Sequence, residues 1–290
     1  MNKTFLFFSF LLTIALTSCK EEPKVTDPNL PANFTPGESA NPTVLAGYWI
    51  NLDFCSRAGQ YGSVIQTVNN SHLPYAYAFA FNPGKPDSVT CFNASSAWTL
   101  PVKYKKDTLE IVGAIEGKRP VYLVYHSHGD KDMTMFDNSS GSTRMDNFIK
   151  SKAGTKDGYT AFTTALGHHL FSGQFTPTGK NASKEKIVFT PGGFITGWKA
   201  FDRYVVCTGG DCLVAGQEID VFSLYNSKQG EAAAKYYGYK YNAGNDELTI
   251  YNLISSGEKG SWKVGAPVYT LKRSFSIPAP NPKTQQPAKK

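Results

Sequence analysis

The chain has 290 residues and a formal net charge of +7, with 41% hydrophobic and only 18% charged residues. That apolar content is enough to fill two domain-sized cores and excludes a wholly disordered chain. Nineteen Phe and sixteen Tyr beside four Met, with 26 Gly and 17 Pro, favour β-structure over helix bundles.

The first nineteen residues read MNKTFLFFSFLLTIALTSC: one basic residue, Lys3, then an apolar run from Phe5 to Leu12 that continues through Ile14, Ala15 and Leu16. An apolar stretch of about 12 residues is shorter than the roughly 20 that a membrane-spanning helix needs, so residues 1–18 read as a secretory signal peptide. Leu16-Thr17-Ser18-Cys19 resembles the bacterial lipobox. The resemblance implies that Cys19 is diacylated and becomes the first residue of the mature chain. A further acyl chain at the new amino terminus would then give stable anchoring. Lys20-Glu21-Glu22 follows at once and resembles the export signal of Bacteroidetes lipoproteins displayed on the outer face of the outer membrane. Residues 19–43, rich in Pro, Asn, Thr and Glu, bury too little to fold and read as a tether.

From residue 44 to 137 the pattern is that of strands. Gly47-Tyr48-Trp49 opens the first, and Tyr75 to Phe81 alternates aromatic residues with Ala until the turn Asn82-Pro83-Gly84. Thr108 to Val112, Val121 to Tyr125 and Met133 to Phe136 follow as further strands. Residues 138–169 read as a linker in which Asp157 caps a short helix carrying Tyr159, Phe162 and Leu166 and ended by Gly167.

Strands return over residues 170–274. Lys186 to Thr190 and Phe194 to Trp198 flank Pro191-Gly192-Gly193, a hairpin signature. Tyr204 to Cys207, Ile219 to Tyr225, Lys235 to Tyr241, Leu248 to Leu253 and Val268 to Lys272 complete an antiparallel meander suited to a barrel. Residues 275–290 read as a disordered tail. The predicted fold is thus all-β: two antiparallel meander barrels joined by a short helical linker. The halves echo each other, each opening on a short aromatic strand and closing on a Val-Tyr strand, which suggests duplication.

Gly47-Tyr48-Trp49 and the closing Tyr269-Thr270-Leu271-Lys272-Arg273 resemble the two ends of lipocalin-like domains, where a first-strand Trp plugs the barrel base and a late Arg lies over it. That resemblance implies a small apolar ligand held in the barrel. A barrel of this size filled by its own side chains is the other reading.

Without Cys19, four cysteines remain: Cys55, Cys91, Cys207 and Cys212. Export permits disulfides. The tight turn Thr208-Gly209-Gly210-Asp211 favours Cys207–Cys212, which leaves Cys55 to pair with Cys91; buried free thiols are the alternative. The spacing does not suit zinc. His126 and His128 share a face in an extended segment and form a weak metal candidate, with Asp130 or Asp132 as a third ligand; adjacent His168 and His169 diverge on a helix and suit a metal less. Of the four tryptophans, Trp262 lies in the Gly/Ser/Lys stretch from Ser255 to Lys263 and is the candidate for an exposed ligand platform.

The common hydrolase and phosphate-loop motifs are absent, and no cofactor is expected. Lysines and arginines are scattered, so no nucleic-acid partner is expected either. The sequence favours a non-catalytic, surface-exposed outer-membrane lipoprotein that binds a small apolar molecule, a glycan or a partner protein of the envelope. A glycan-processing hydrolase, whose two carboxylates carry no local motif, is one rival. A structural accessory subunit is another.

Overall fold

The structure is a computed structural model that describes residues 39–94, 96–115, 121–127, 131–138, 142–152, 155–179, 185–209, 219–255 and 262–276. Cys19, Lys20, Glu21, Glu22, His128 and Cys212 lie outside these residues.

Eight strands form a closed antiparallel barrel: β1 (Gly47–Asn51), β2 (Ala78–Phe81), β3 (Ser88–Phe92), β4 (Ala97–Lys105), β5 (Thr108–Ile111), β6 (Val121–His126), β7 (Asp132–Asp137) and β8 (Arg144–Lys150). Each strand pairs with the next, and β8 returns to β1 with Trp49 opposite Lys150 and Ile50 opposite Ile149. Closure removes the free edges that would otherwise pair with other chains. Alternate residues point inward, and Phe79, Val89, Cys91, Leu109, Leu123, Met135 and Phe148 fill the interior, all essentially without solvent contact. The strand β8 falls inside the stretch read from sequence as linker; its pattern Arg-Met-Asp-Asn-Phe-Ile-Lys lacks the apolar alternation that marks a strand.

The second sheet repeats this topology with β9 (Gly173–Pro177), β10 (Ile187–Phe189), β11 (Ile195–Thr196), β12 (Arg203–Val206), β13 (Asp220–Tyr225), β14 (Lys235–Asn242), β15 (Glu247–Ser255) and β16 (Trp262–Ser276). Its last strand again pairs with its first, Arg273 opposite Phe175. The seam between β11 and β12 is narrow: a bridge between Phe194 and Arg203, with Ile195 N–H donating to Asp202 O and Tyr204 N–H to Gly193 O. The barrel is therefore nearly closed. Phe171, Phe175, Phe189, Phe222, Leu248, Ile250 and Leu271 pack its inside.

Four helices complete the described elements of regular length: α1 (Pro42–Leu45), α2 (Leu52–Tyr61), α3 (Val64–Asn70) and α4 (Gly158–Phe171). The Asp157 cap is present, its carboxylate accepting from Thr160 N–H at 2.7 Å. Gly167 does not end α4: the Tyr204 ring lies where a side chain would go, so the helix passes it by close approach and runs on to Phe171. Leu170 and Phe171, expected to open a strand, are its last turn. The helices α2 and α3 occupy residues taken as strand territory. Their signals are local: Asn51 caps Phe54 N–H at 2.9 Å, Gly62 ends α2 in the left-handed region, and Ser63 caps Gln66 N–H at 3.0 Å.

The helices α2, α3 and α4 sit between the two barrels. Because strands alternate in direction, α1 lies at one end of the first barrel and α2 with α3 at the other, where β1 ends. The rings of Phe54, Tyr77 and Phe162 cluster there, Tyr77 and Phe162 stacked in parallel at 4.4 Å and Phe54 tilted by 55° to both. On the outer wall Ala78 is fully buried, its small side chain allowing α4 to lie close against β2. The N-terminus of α3 meets the second barrel: Asp220, at the start of β13, accepts from Val64 and Ile65 N–H at 2.8 and 2.9 Å. The first barrel thus presents its helical end to the base of the second.

Candidate functional site

Side chains pack both interiors, and an open groove lies at the far mouth of the second barrel. Glu185, Lys186, Gly197, Trp198 and Lys199 line this groove of about 360 Å³. Two strand ends build it. The hairpin β10–β11 turns at Pro191-Gly192-Gly193, with Gly193 N–H donating to Thr190 O at 3.2 Å. The chain then turns at Gly197, where φ is +78° and a side chain would collide with the Lys186 carbonyl. That crossing places Trp198 over the barrel mouth. Its half-buried indole meets Tyr269 at 4.9 Å and Phe201 at 5.2 Å, both nearly perpendicular, and Phe189 at 6.4 Å. Edge-to-face packing on several sides fixes the indole plane. Lys199 Nζ lies 3.6 Å from a Glu185 carboxylate oxygen, an exposed pair that contributes little to stability.

The sequence candidates are placed as follows. Trp262 is not in a loop but begins β16 opposite Ser255, half-buried, its ring 6.2 Å from that of Tyr236 and tilted by 32°. It belongs to a lengthened β14–β16 wall where Tyr236, Ile254, Val264 and Val268 are exposed. His126 ends β6 opposite Asp132, and its Nε2 is engaged with Thr134 Oγ1 at 3.0 Å. No cluster of three metal-ligating side chains occurs among the described residues. The pairing of Cys55 with Cys91 is corrected: both are free and buried in different places. Cys55 faces the helical layer between the barrels, whereas Cys91 points into the first barrel. Burial raises both thiols, Cys91 to about 12. Cys207 is not a free thiol, and its expected partner Cys212 lies outside the described residues.

A polar constellation went unread in the sequence because its members lie far apart along the chain. Asp146, on the inward face of β8 and fully buried, accepts from Arg57 of α2 at 3.1 Å and contacts His72 Nε2, just beyond α3, at 2.9 Å. Asp53 accepts from Asn147 N–H at 2.9 Å beside it. These contacts fasten the α2–α3 segment over the mouth of the first barrel. At the other face of the helical layer, burial and the neighbouring His168 push His169 down to about 4. Burial also raises the Asp220 carboxyl, against the lowering effect of the hydrogen bonds it accepts.

No helix among the described residues is long and apolar enough to cross a membrane. No protein-family model matches the sequence, and comparisons with curated proteins and with solved structures give no match.

Proposed function

We propose that this chain is a lipid-anchored, non-catalytic binding protein of the outer-membrane surface, which takes a sugar ring on the aromatic groove of its second barrel. The carrying observation is the indole of Trp198, fixed by surrounding rings and flanked by charged side chains in the open groove. Filled barrels favour binding at a mouth over the enclosed cavity that the lipocalin resemblance implied. A rigid ring with polar neighbours suits a saccharide, whose C–H face packs on the aromatic face while its hydroxyls reach the rim. Cys19 and Lys20-Glu21-Glu22 support the anchoring and the outward display, and Cys207–Cys212 would staple the β12–β13 connection.

Glycan-array binding of the purified chain, compared with Trp198→Ala, tests the ligand reading. Signal from the parent chain that the variant loses supports it; an array blank for both overturns it. Cys19→Ala tests the anchor: palmitate labelling should vanish, and persistent labelling would refute lipidation.

A second reading rests on the exposed Tyr236, Ile254, Val264 and Val268 of the β14–β16 wall, an apolar surface suited to a partner protein of the envelope.

A further inference from the structure

We infer that the groove selects an acidic saccharide, one whose ring bears a carboxylate or a sulfate; this rests on the saccharide reading given above. Two lysines, Lys186 and Lys199, and one glutamate, Glu185, are among the residues that line the groove. Lys199 is 92% exposed and its pair with Glu185 is long at 3.6 Å, so exchanging that carboxylate for a ligand anion costs little. Lys186 forms no ion pair among the described residues. It leads into β10, and the close crossing of its carbonyl with Gly197 keeps its backbone beside Trp198.

A ring stacked on the indole therefore has a cation on the β10 side and another on the side of residue 199. A neutral sugar would leave Lys186 with water and Lys199 with only its long, exposed pair to Glu185. A ring carboxylate or sulfate converts one or both contacts into charge-assisted hydrogen bonds, the stronger kind. The indole supplies the stacking surface for any sugar, and the lysines discriminate by charge. Selection by exposed lysines also predicts strong salt dependence, because such contacts are screened over about 8–10 Å at physiological ionic strength.

The test uses matched probes: oligogalacturonate, oligoglucuronate and oligomannuronate, each beside its methyl ester, which keeps the rings and removes the charge. Calorimetric titration at low salt should show at least one acid binding about tenfold tighter than its ester, a ratio that falls as salt is added. Lys186→Gln with Lys199→Gln should abolish the ratio, bringing each acid down to the affinity its ester shows with the same variant, and Trp198→Ala should remove binding of both. Equal affinity for acid and ester, or a ratio unchanged in the double variant, overturns acidic selection and leaves the saccharide reading standing. Failure of every acid and ester to bind overturns acidic selection, and the glycan array then decides the saccharide reading separately. Sulfated and desulfated chondroitin oligosaccharides, run in parallel, separate sulfate from carboxylate as the preferred anion.

Discussion

Arg273 does in the second barrel what Lys150 does in the first. Each stands on the last strand opposite the aromatic residue of the first strand, Phe175 or Trp49. Each cation lies over that ring, at 5.0 and 5.8 Å from its centroid. Each donates to a carbonyl of the helix entering the barrel, Arg273 to Leu170 at 2.6 Å and Lys150 to Val44 at 3.0 Å. Each aromatic follows a glycine of positive φ by two residues, Gly47 or Gly173. The Gly-x-Trp and terminal Arg that the sequence divides between its halves are therefore two halves of one arrangement that occurs twice, with Phe and Lys as the substitutes.

The two latches should differ in strength. Arg273→Met should cost about 1–3 kcal/mol, because a partly buried charge-assisted bond to the end of α4 is lost. Lys150→Met should cost about 1 kcal/mol or less, since its ammonium is exposed and loses mostly screened contacts. Urea unfolding followed by tryptophan fluorescence measures both; equal costs would show that the second latch gains nothing from its burial.

Asp146 should be the most sensitive charged position. Asp146→Asn leaves Arg57 and His72 facing a neutral group inside the barrel mouth, with an expected loss of about 3 kcal/mol. Adding Arg57→Met should restore part of that loss, because it removes the stranded guanidinium. A double variant less stable than Asp146→Asn alone would refute the fastening role.

His169 gives the fold an acid sensitivity of predictable sign. Its pKa falls to about 4 in the folded chain from 6.5 when free, so between these values the unfolded state binds the extra proton. Stability is fully present above pH 6.5 and is lost as pH drops towards 4, by on the order of 3 kcal/mol at most. Asp220 acts the other way: its raised carboxyl relieves a burial cost as it protonates. Thermal melts from pH 7 to 4 should show a net decline that His169→Asn flattens.

Cys55 and Cys91 should stay silent towards maleimide at pH 8 in the folded chain and react in urea. Their burial and raised pKa values leave little thiolate exposed to attack. Protection that survives in urea, and yields only to reductant, would show a disulfide instead.

The strands of the second barrel were legible because each carries its own alternation and turn: Pro191-Gly192-Gly193 is the β10–β11 turn, and Lys235 to Tyr241 lies within β14. The helices α2 and α3 were not, although Asn51, Gly62 and Ser63 mark their ends, because an inserted helical segment breaks a pattern otherwise set by strands. The groove was half legible. A tryptophan does line it, but Trp198 rather than the Trp262 singled out in the sequence, since only the fold shows that the turn at Gly197 carries residue 198 back across the mouth. The Asp146 cluster joins residues 57, 72 and 146, and no local spacing could announce it.

The pairing of first strand with last carries a consequence for how the chain acquires its structure. Gln174 and Ser274 hydrogen-bond across 100 positions, and Lys150 reaches Val44 across 106. Each barrel must therefore wait for its final strand before it can shut, which places the slowest and most entropically demanding contact at the end of synthesis of each half. Until then β1 and β9 remain unpaired edges, so a chain truncated before β16 should aggregate rather than fold to a smaller barrel.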